Sequence, residues 1–128
     1  MKLESIRGRI EDGVLEVEID ELVDVLETLK SEGGFDYLSN LTAVDYQDYF
    51  QMIYNLVYLE NYENLEVRLE IEDYENPSVP SVVDIWKAAD WQEREVYDLF
   101  GINFDNHPNL KRILLTDDFE GHPLLKSY

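Results

Sequence analysis

The sequence predicts an α+β fold: a mainly antiparallel β-sheet with helices packed on one face, in the order ββαβββαα, followed by an extended C-terminal tail. Three observations predict it. Leu65, Val67, Leu69 and Ile71 alternate strictly with Glu66, Arg68, Glu70 and Glu72, as a strand with one wet face requires. Leu22, Val25, Leu26 and Leu29 recur at helical spacing. Strands with one charged face need another layer on the other face, so a two-layer sandwich is favoured over a barrel.

The elements follow in order. Residues 6–10 and 14–19 read as two short strands joined by Glu11-Asp12-Gly13, a turn whose glycine suits positive φ. Asp20 stands where a helix N-cap belongs, and Gly33-Gly34 ends the helix that follows. Phe35 to Tyr46, Met52 to Leu59 and Leu65 to Ile71 read as three strands, the last two forming an antiparallel hairpin around Asn61-Tyr62-Glu63-Asn64. Glu75 to Pro80 is a connector, because its two prolines suit neither a helix interior nor a central strand. Ser81, with Asp84 three residues on, then signals a short helix. Asp90 with Glu93 has the spacing of a capping box for a second helix over 91–100, closed by Gly101.

The 128 residues suit a single domain, with residues 1–75 as an acidic scaffold and 81–128 as a partner-docking part. The chain has no cysteine, which excludes disulfides, thiolate metal sites and thiol nucleophiles. No apolar run reaches the roughly 20 residues needed to cross a bilayer, and no secretory h-region opens the chain, so a cytosolic location or a cytosolic membrane face is expected. A net charge of -19 argues against nucleic acid and anionic lipid as partners. The charge is uneven. Residues 1–86 hold 21 acids against 5 bases, whereas 87–128 hold 8 against 5 among large apolar groups, as a surface meant for a partner protein should.

Within 81–128, Asp90, Glu93 and Gly101 are explained by helix punctuation, and Val96, Leu99 and Phe100 by core packing. Arg94, Glu95, Tyr97 and Asp98 remain. Arg94 and Asp98 are four apart and suited to pair, but that order is the weaker one against the helix dipole. Against ordinary exposure stands burial at another chain, where arginine offers a planar fork and tyrosine a rigid anchor. His107-Pro108 and His122-Pro123 invite a metal site with Asp117, Asp118 or Glu120, a weak reading because the histidines share no helical spacing. Glu93 and Glu95 point about 200° apart on a helix and cannot flank one bond. A further reading is an acidic binding module that captures a basic partner through residues 1–75, with steep salt dependence.

Glu93-Arg94-Glu95, Asp98-Leu99-Phe100, His107, Lys111 and Ile113-Leu114, in that order and spacing, resemble the signature of the 30-kDa subunit family of respiratory complex I, an NADH dehydrogenase. Ser81-Val82 to Trp91, Asp118 to Leu124 and Leu41 to Asp45 resemble the same family's flanking stretches. The tail Leu125-Lys126-Ser127-Tyr128 departs from the family's Arg-Lys-Asp-Tyr-like ending, and the chain is short for the family. These departures leave room for group 4 nickel–iron hydrogenases, formate hydrogenlyase and ferredoxin- or coenzyme F420-linked relatives.

The resemblance implies a cofactor-free accessory subunit of the hydrophilic arm of a complex I-type NADH (or ferredoxin):quinone oxidoreductase. It would dock on the large, 49-kDa-like quinone-site subunit beside the iron–sulfur subunits, peripherally on the cytoplasmic side of the membrane. Iron–sulfur clusters and a flavin or nickel–iron centre are then expected on partner subunits, with no catalytic, cofactor or metal residue here. Arg94, Glu95, Tyr97, Asp98, His107, Arg112, His122 and Lys126 are the candidate interface.

Overall fold

A computed structural model describes residues 2–112 and 121–125 of the chain. Its centre is a meander of three nine-residue strands, β2 (Tyr37–Asp45), β3 (Phe50–Tyr58) and β4 (Glu63–Ile71). A fourth strand, β1 (Val14–Val17), joins β4, giving the order β1-β4-β3-β2. Antiparallel rungs such as Ala43↔Met52↔Leu69 and Leu41↔Tyr54↔Val67 set the register. Every second residue of β3 and β4, from Phe50 to Leu56 and from Leu65 to Ile71, is buried on one face. The alternation seen in the sequence therefore marks which face meets the helices.

Against that face pack α2 (Leu22–Ser31), entered through a 3₁₀ turn at Ile19–Glu21, and α3 (Ala89–Phe100). Leu22, Val25, Leu26 and Leu29 supply the apolar stripe of α2. The helix start is sealed by Glu18, whose side chain and backbone exchange bonds with Glu21. Asp20, expected as the cap, lies inside the turn instead. Arg9 fixes the same corner, donating to both Glu21 oxygens at 2.9 and 2.7 Å and to the Glu16 carbonyl. Gly34, with φ 76°, ends this segment where a Cβ would stand 2.5 Å from the Tyr58 ring. Only glycine fits there.

Three local expectations change. Residues 6–10, expected as a strand, contain the end of a short helix, α1 (Leu3–Arg7). Ile6 is its one fully buried side chain, and Arg7 and Arg9 reach out to ion pairs with Glu63 and Glu21. Of the expected hairpin only the tight Glu11–Val14 turn remains, as an isolated antiparallel bridge, and β1 instead pairs in parallel with β4, from Val14↔Glu66 to Val17↔Leu69.

Residues 81–88 form turns rather than a helix, held by bonds from Ile85 and Trp86 N–H to the Val82 carbonyl. The connector before them includes a strand, β5 (Ser78–Pro80), paired in parallel with β6 (Asn103–Asp105). Proline is tolerated because this is a three-residue, two-stranded ladder, whose neighbouring bonds run from Asn103 N–H to the Pro77 carbonyl and from Ser81 N–H to the Asp105 carbonyl. β5 and β6 thereby bind the two ends of the α3 region together.

Candidate functional site

α3 is the element on which the sequence signature falls. Its C-terminus has the expected αL glycine, Gly101 at φ 79°, with its N–H bonded to the Tyr97 carbonyl. Its N-terminus differs from expectation. The helix starts at Ala89 after an uncapped Ala88, and neither Asp90 nor Glu93 caps it. Both are diverted to tertiary partners that lie far away in sequence.

Glu93 is fully buried. Its Oε1 accepts from the Ser81 hydroxyl at 2.6 Å and its Oε2 from the Val82 N–H at 2.7 Å, so one carboxyl clamps the 81–82 turn to α3. Burial pushes this carboxyl up to about 7, against the pull of those two hydrogen bonds, with the Asp90 charge adding to the rise. Tyr54, fully buried beneath, has a hydroxyl with no hydrogen-bond partner among the described residues, and burial, then the Glu93 charge, raises its pKa.

His107 closes the same end. Its Nδ1 accepts from the Asn109 N–H at 2.9 Å, which leaves Nε2 as the protonated nitrogen; Nε2 lies 3.0 Å from Asp90 Oδ1 and 3.9 Å from Glu93 Oε1.

The other end of α3 is braced by Asp98, which is fully buried and meets Arg112 Nε at 3.2 Å. Arg112 also donates through Nη2 to the Gly121 carbonyl. His122 Nδ1 lies 2.8 Å from the Asp98 carbonyl and 3.0 Å from Arg112 Nη2. A single nitrogen serves one of these contacts as donor or the other as acceptor. The shorter one makes it a donor to the Asp98 carbonyl. Leu124 N–H donates to the Leu99 carbonyl, so residues 121–125 return onto the end of α3. The His122 ring fills the space over Gly101, where a Cβ would approach it to 2.8 Å.

The eight candidate residues thus separate. Asp98, Arg112, His122 and His107 hold α3 in place, and Asp98 pairs with Arg112 rather than with Arg94 four residues before it. Arg94 and Glu95 are half-buried on the outside, while Tyr97, also half-buried, packs against the core beside the His122 ring. They are joined by Trp91, 53% exposed, which sequence reasoning did not place among the site residues. Trp91 Nε1 donates to Glu95 Oε1 at 2.7 Å, and the Arg94 guanidinium lies 5.6 Å from the Trp91 ring centre, its Nε making no hydrogen bond among the described residues.

The signal for this strip was the i,i+4 spacing of Trp91 and Glu95 with Arg94 one turn on. Lys126 lies outside the described residues, as do Asp117, Asp118 and Glu120. His107 and His122 sit at opposite ends of α3, and no group of three metal-ligating side chains assembles among the described residues.

Geometry of this kind defines a class: a two-layer α+β protein built around a surface helix that is pinned at both ends and presents an aromatic–cationic strip. Residues 15–128 match the family described as respiratory-chain NADH dehydrogenase, 30 Kd subunit. The chain is 41% identical over 126 residues to the C subunit of the NADH-quinone oxidoreductase of Moorella thermoacetica, a match covering 97% of this chain and 84% of that protein. It is 43% identical over 115 residues to the C subunit of the same oxidoreductase from Citrifermentans bemidjiense, covering 88% and 71%.

A chain in the structure of the membrane-bound sulfane sulfur reductase, an archaeal respiratory membrane complex, superposes with a TM-score of 0.81 at 29% identity, covering 90% of this chain and 70% of that one. The chain belongs to the 30 Kd subunit family of respiratory-chain NADH dehydrogenase, as its 93–114 signature indicated. No helix among the described residues is long and apolar enough to cross a membrane.

Proposed function

We propose that this protein is an accessory subunit, without cofactor or catalytic centre of its own, of the hydrophilic arm of a complex I-type NADH (or ferredoxin):quinone oxidoreductase. It seats on the large quinone-site subunit beside the iron–sulfur subunits, on the cytoplasmic side of the membrane, and supports assembly of the electron-transfer chain that those partners carry. The match of residues 15–128 to the 30 Kd subunit family carries this reading. The strip Trp91, Arg94, Glu95 and Tyr97 supports it, because it joins an aromatic anchor to an arginine, the residue types that dominate protein interfaces, on a helix that is already rigid.

The structural match to a respiratory membrane complex of another kind favours a second reading. Here the same docking role is played in a related membrane-bound machine, such as a group 4 nickel–iron hydrogenase or formate hydrogenlyase. An affinity-tagged chain, purified from its own host's membranes in mild detergent, tests both. Co-purification of a large quinone-site subunit with NADH-oxidising activity is expected; a hydrogenase large subunit with its nickel would favour the second reading, and a chain purifying alone would contradict both.

A further inference from the structure

Arg94 is the one base of α3, a helix that also carries the carboxylates of Asp90, Glu93, Glu95 and Asp98. Helical spacing offers it Asp90 four residues before and Asp98 four residues after. All four acids are engaged elsewhere. Glu93 is clamped to Ser81 and Val82, Asp98 meets Arg112, Asp90 Oδ1 lies 3.0 Å from His107 Nε2, and Glu95 accepts from Trp91. The other arginines of the chain, Arg7, Arg9, Arg68 and Arg112, each pair with a carboxylate. In a chain of 29 acids against 10 bases, Arg94 alone of the arginines has no carboxylate partner among the described residues. Its side chain is nevertheless held. Nε is shut off from water without a hydrogen bond, and the guanidinium sits over the Trp91 ring, whose N–H is tied to Glu95. The terminal nitrogens Nη1 and Nη2 make no bond among the described residues and stay open to solvent.

We infer that Arg94 is the receptor for a carboxylate, an Asp or Glu side chain of the partner protein. That carboxylate takes the two Nη donors as a bidentate pair while an apolar group beside it packs on the exposed part of Trp91. The inference rests on the docking role proposed for α3 and names the chemistry of its partner. Three features fit. Leaving Nε unbonded in a dry place is unfavourable; what the fold gains is a planar fork of donors set in place before a partner arrives. With the helix's own acids taken, the strip keeps an uncompensated cation, so a partner that covers it without a carboxylate would desolvate the guanidinium unpaired. The net charge of -19 repels polyanions such as nucleic acid or an anionic lipid surface at long range. The anion that fits is therefore a single carboxylate on a protein surface that the indole holds by apolar contact.

The test uses the full chain in its native complex. The photocrosslinker p-benzoylphenylalanine at Lys87, exposed and four residues before Trp91, captures the protein segment that lies on the strip. Separately, Arg94→Lys puts an amine at that position, and a water-soluble carbodiimide joins it to a carboxylate in contact with it. Mass spectrometry reads both. The expected result is an amide bond from position 94 to one Asp or Glu within the segment captured from position 87. Arg94→Glu should lower capture from position 87 on the order of tenfold, and changing the joined partner residue to Arg should restore it. A captured segment without Asp or Glu overturns the inference and spares the docking role of α3. So does capture that persists with position 94 joined to nothing, or that Arg94→Glu leaves at the parent level. If no other subunit is captured from position 87 and none is joined at position 94, both readings fall.

Discussion

Glu93 is a carboxyl with both oxygens committed and no access to water. The sequence offers it the role of a helix-capping partner, and it does not perform it. Its spacing to Asp90 is that of a capping box, a local pattern that a buried clamp shares. The Ser81 hydroxyl and Val82 N–H that claim it arrive through the β5–β6 ladder, a long-range pairing that no local pattern announces.

Because burial raises the folded-state pKa to about 7 from an ordinary 4.5, the folded state holds its proton longer than the unfolded one. The Glu93 contribution is therefore fully present below about pH 4.5, is lost as pH rises through 7, and then levels off. The loss amounts to at most about 3 kcal/mol. Glu93→Gln, whose amide can serve the same Ser81 and Val82 partners, should flatten that slope in denaturant titrations between pH 5 and 7.5. Glu93→Ala, which strands the Val82 N–H, should cost about 1–3 kcal/mol at pH 5.

At the scale of the element, α3 is the most legible helix in span and C-terminus, and departs from expectation at its N-terminus. Its span and Gly101 followed from periodicity and a stop signal, since both are local properties. Its fixation did not, since Asp98 finds Arg112 across a loop rather than Arg94 one turn away.

Removing one member of that buried pair should be severe. Asp98→Ala or Arg112→Ala is expected to cost about 3–5 kcal/mol, and the double variant clearly less than the sum, a coupling that equilibrium unfolding of the three variants measures. Gly101→Ala combines αL strain with a clash against the His122 ring. It should cost more than about 1 kcal/mol and lower the melting temperature by several degrees, whereas Gly8→Ala, in ordinary αR geometry and with only van der Waals contacts to the Glu4 and Ser5 carbonyls at 3.6 and 3.7 Å, should not. His107 and His122 are absorbed by the same bracing, one at each end.

For the whole molecule, the meander and its one-sided burial were written in the alternation of residues 65–71 and the amphipathic stripe of 22–29. The parallel pairings of β1 with β4 and of β5 with β6 were not, because parallel partners are joined by long connections and leave no turn signature. The first segment went wrong because Ile6 and Ile10, four apart, fit a helix turn and a strand equally well.

What emerges among the described residues is a sheet with helices on one face, a pinned helix, and the outward strip of Trp91, Arg94 and Glu95 with half-buried Tyr97 beside it. The family accounts for the first two as fold. The third is where the proposed docking role resides, and it is separable from stability because Trp91 is half-exposed and the Arg94 Nε makes no hydrogen bond among the described residues.

The most direct measurement is thus recovery of the assembled complex from membranes of a host carrying Trp91→Ala with Arg94→Ala. Both side chains should be dispensable for folding, so a melting temperature within a few degrees of the parent is expected for the isolated variant. The docking role predicts at least a tenfold loss of the co-purifying large subunit. Full recovery of the complex with that variant in place would contradict it.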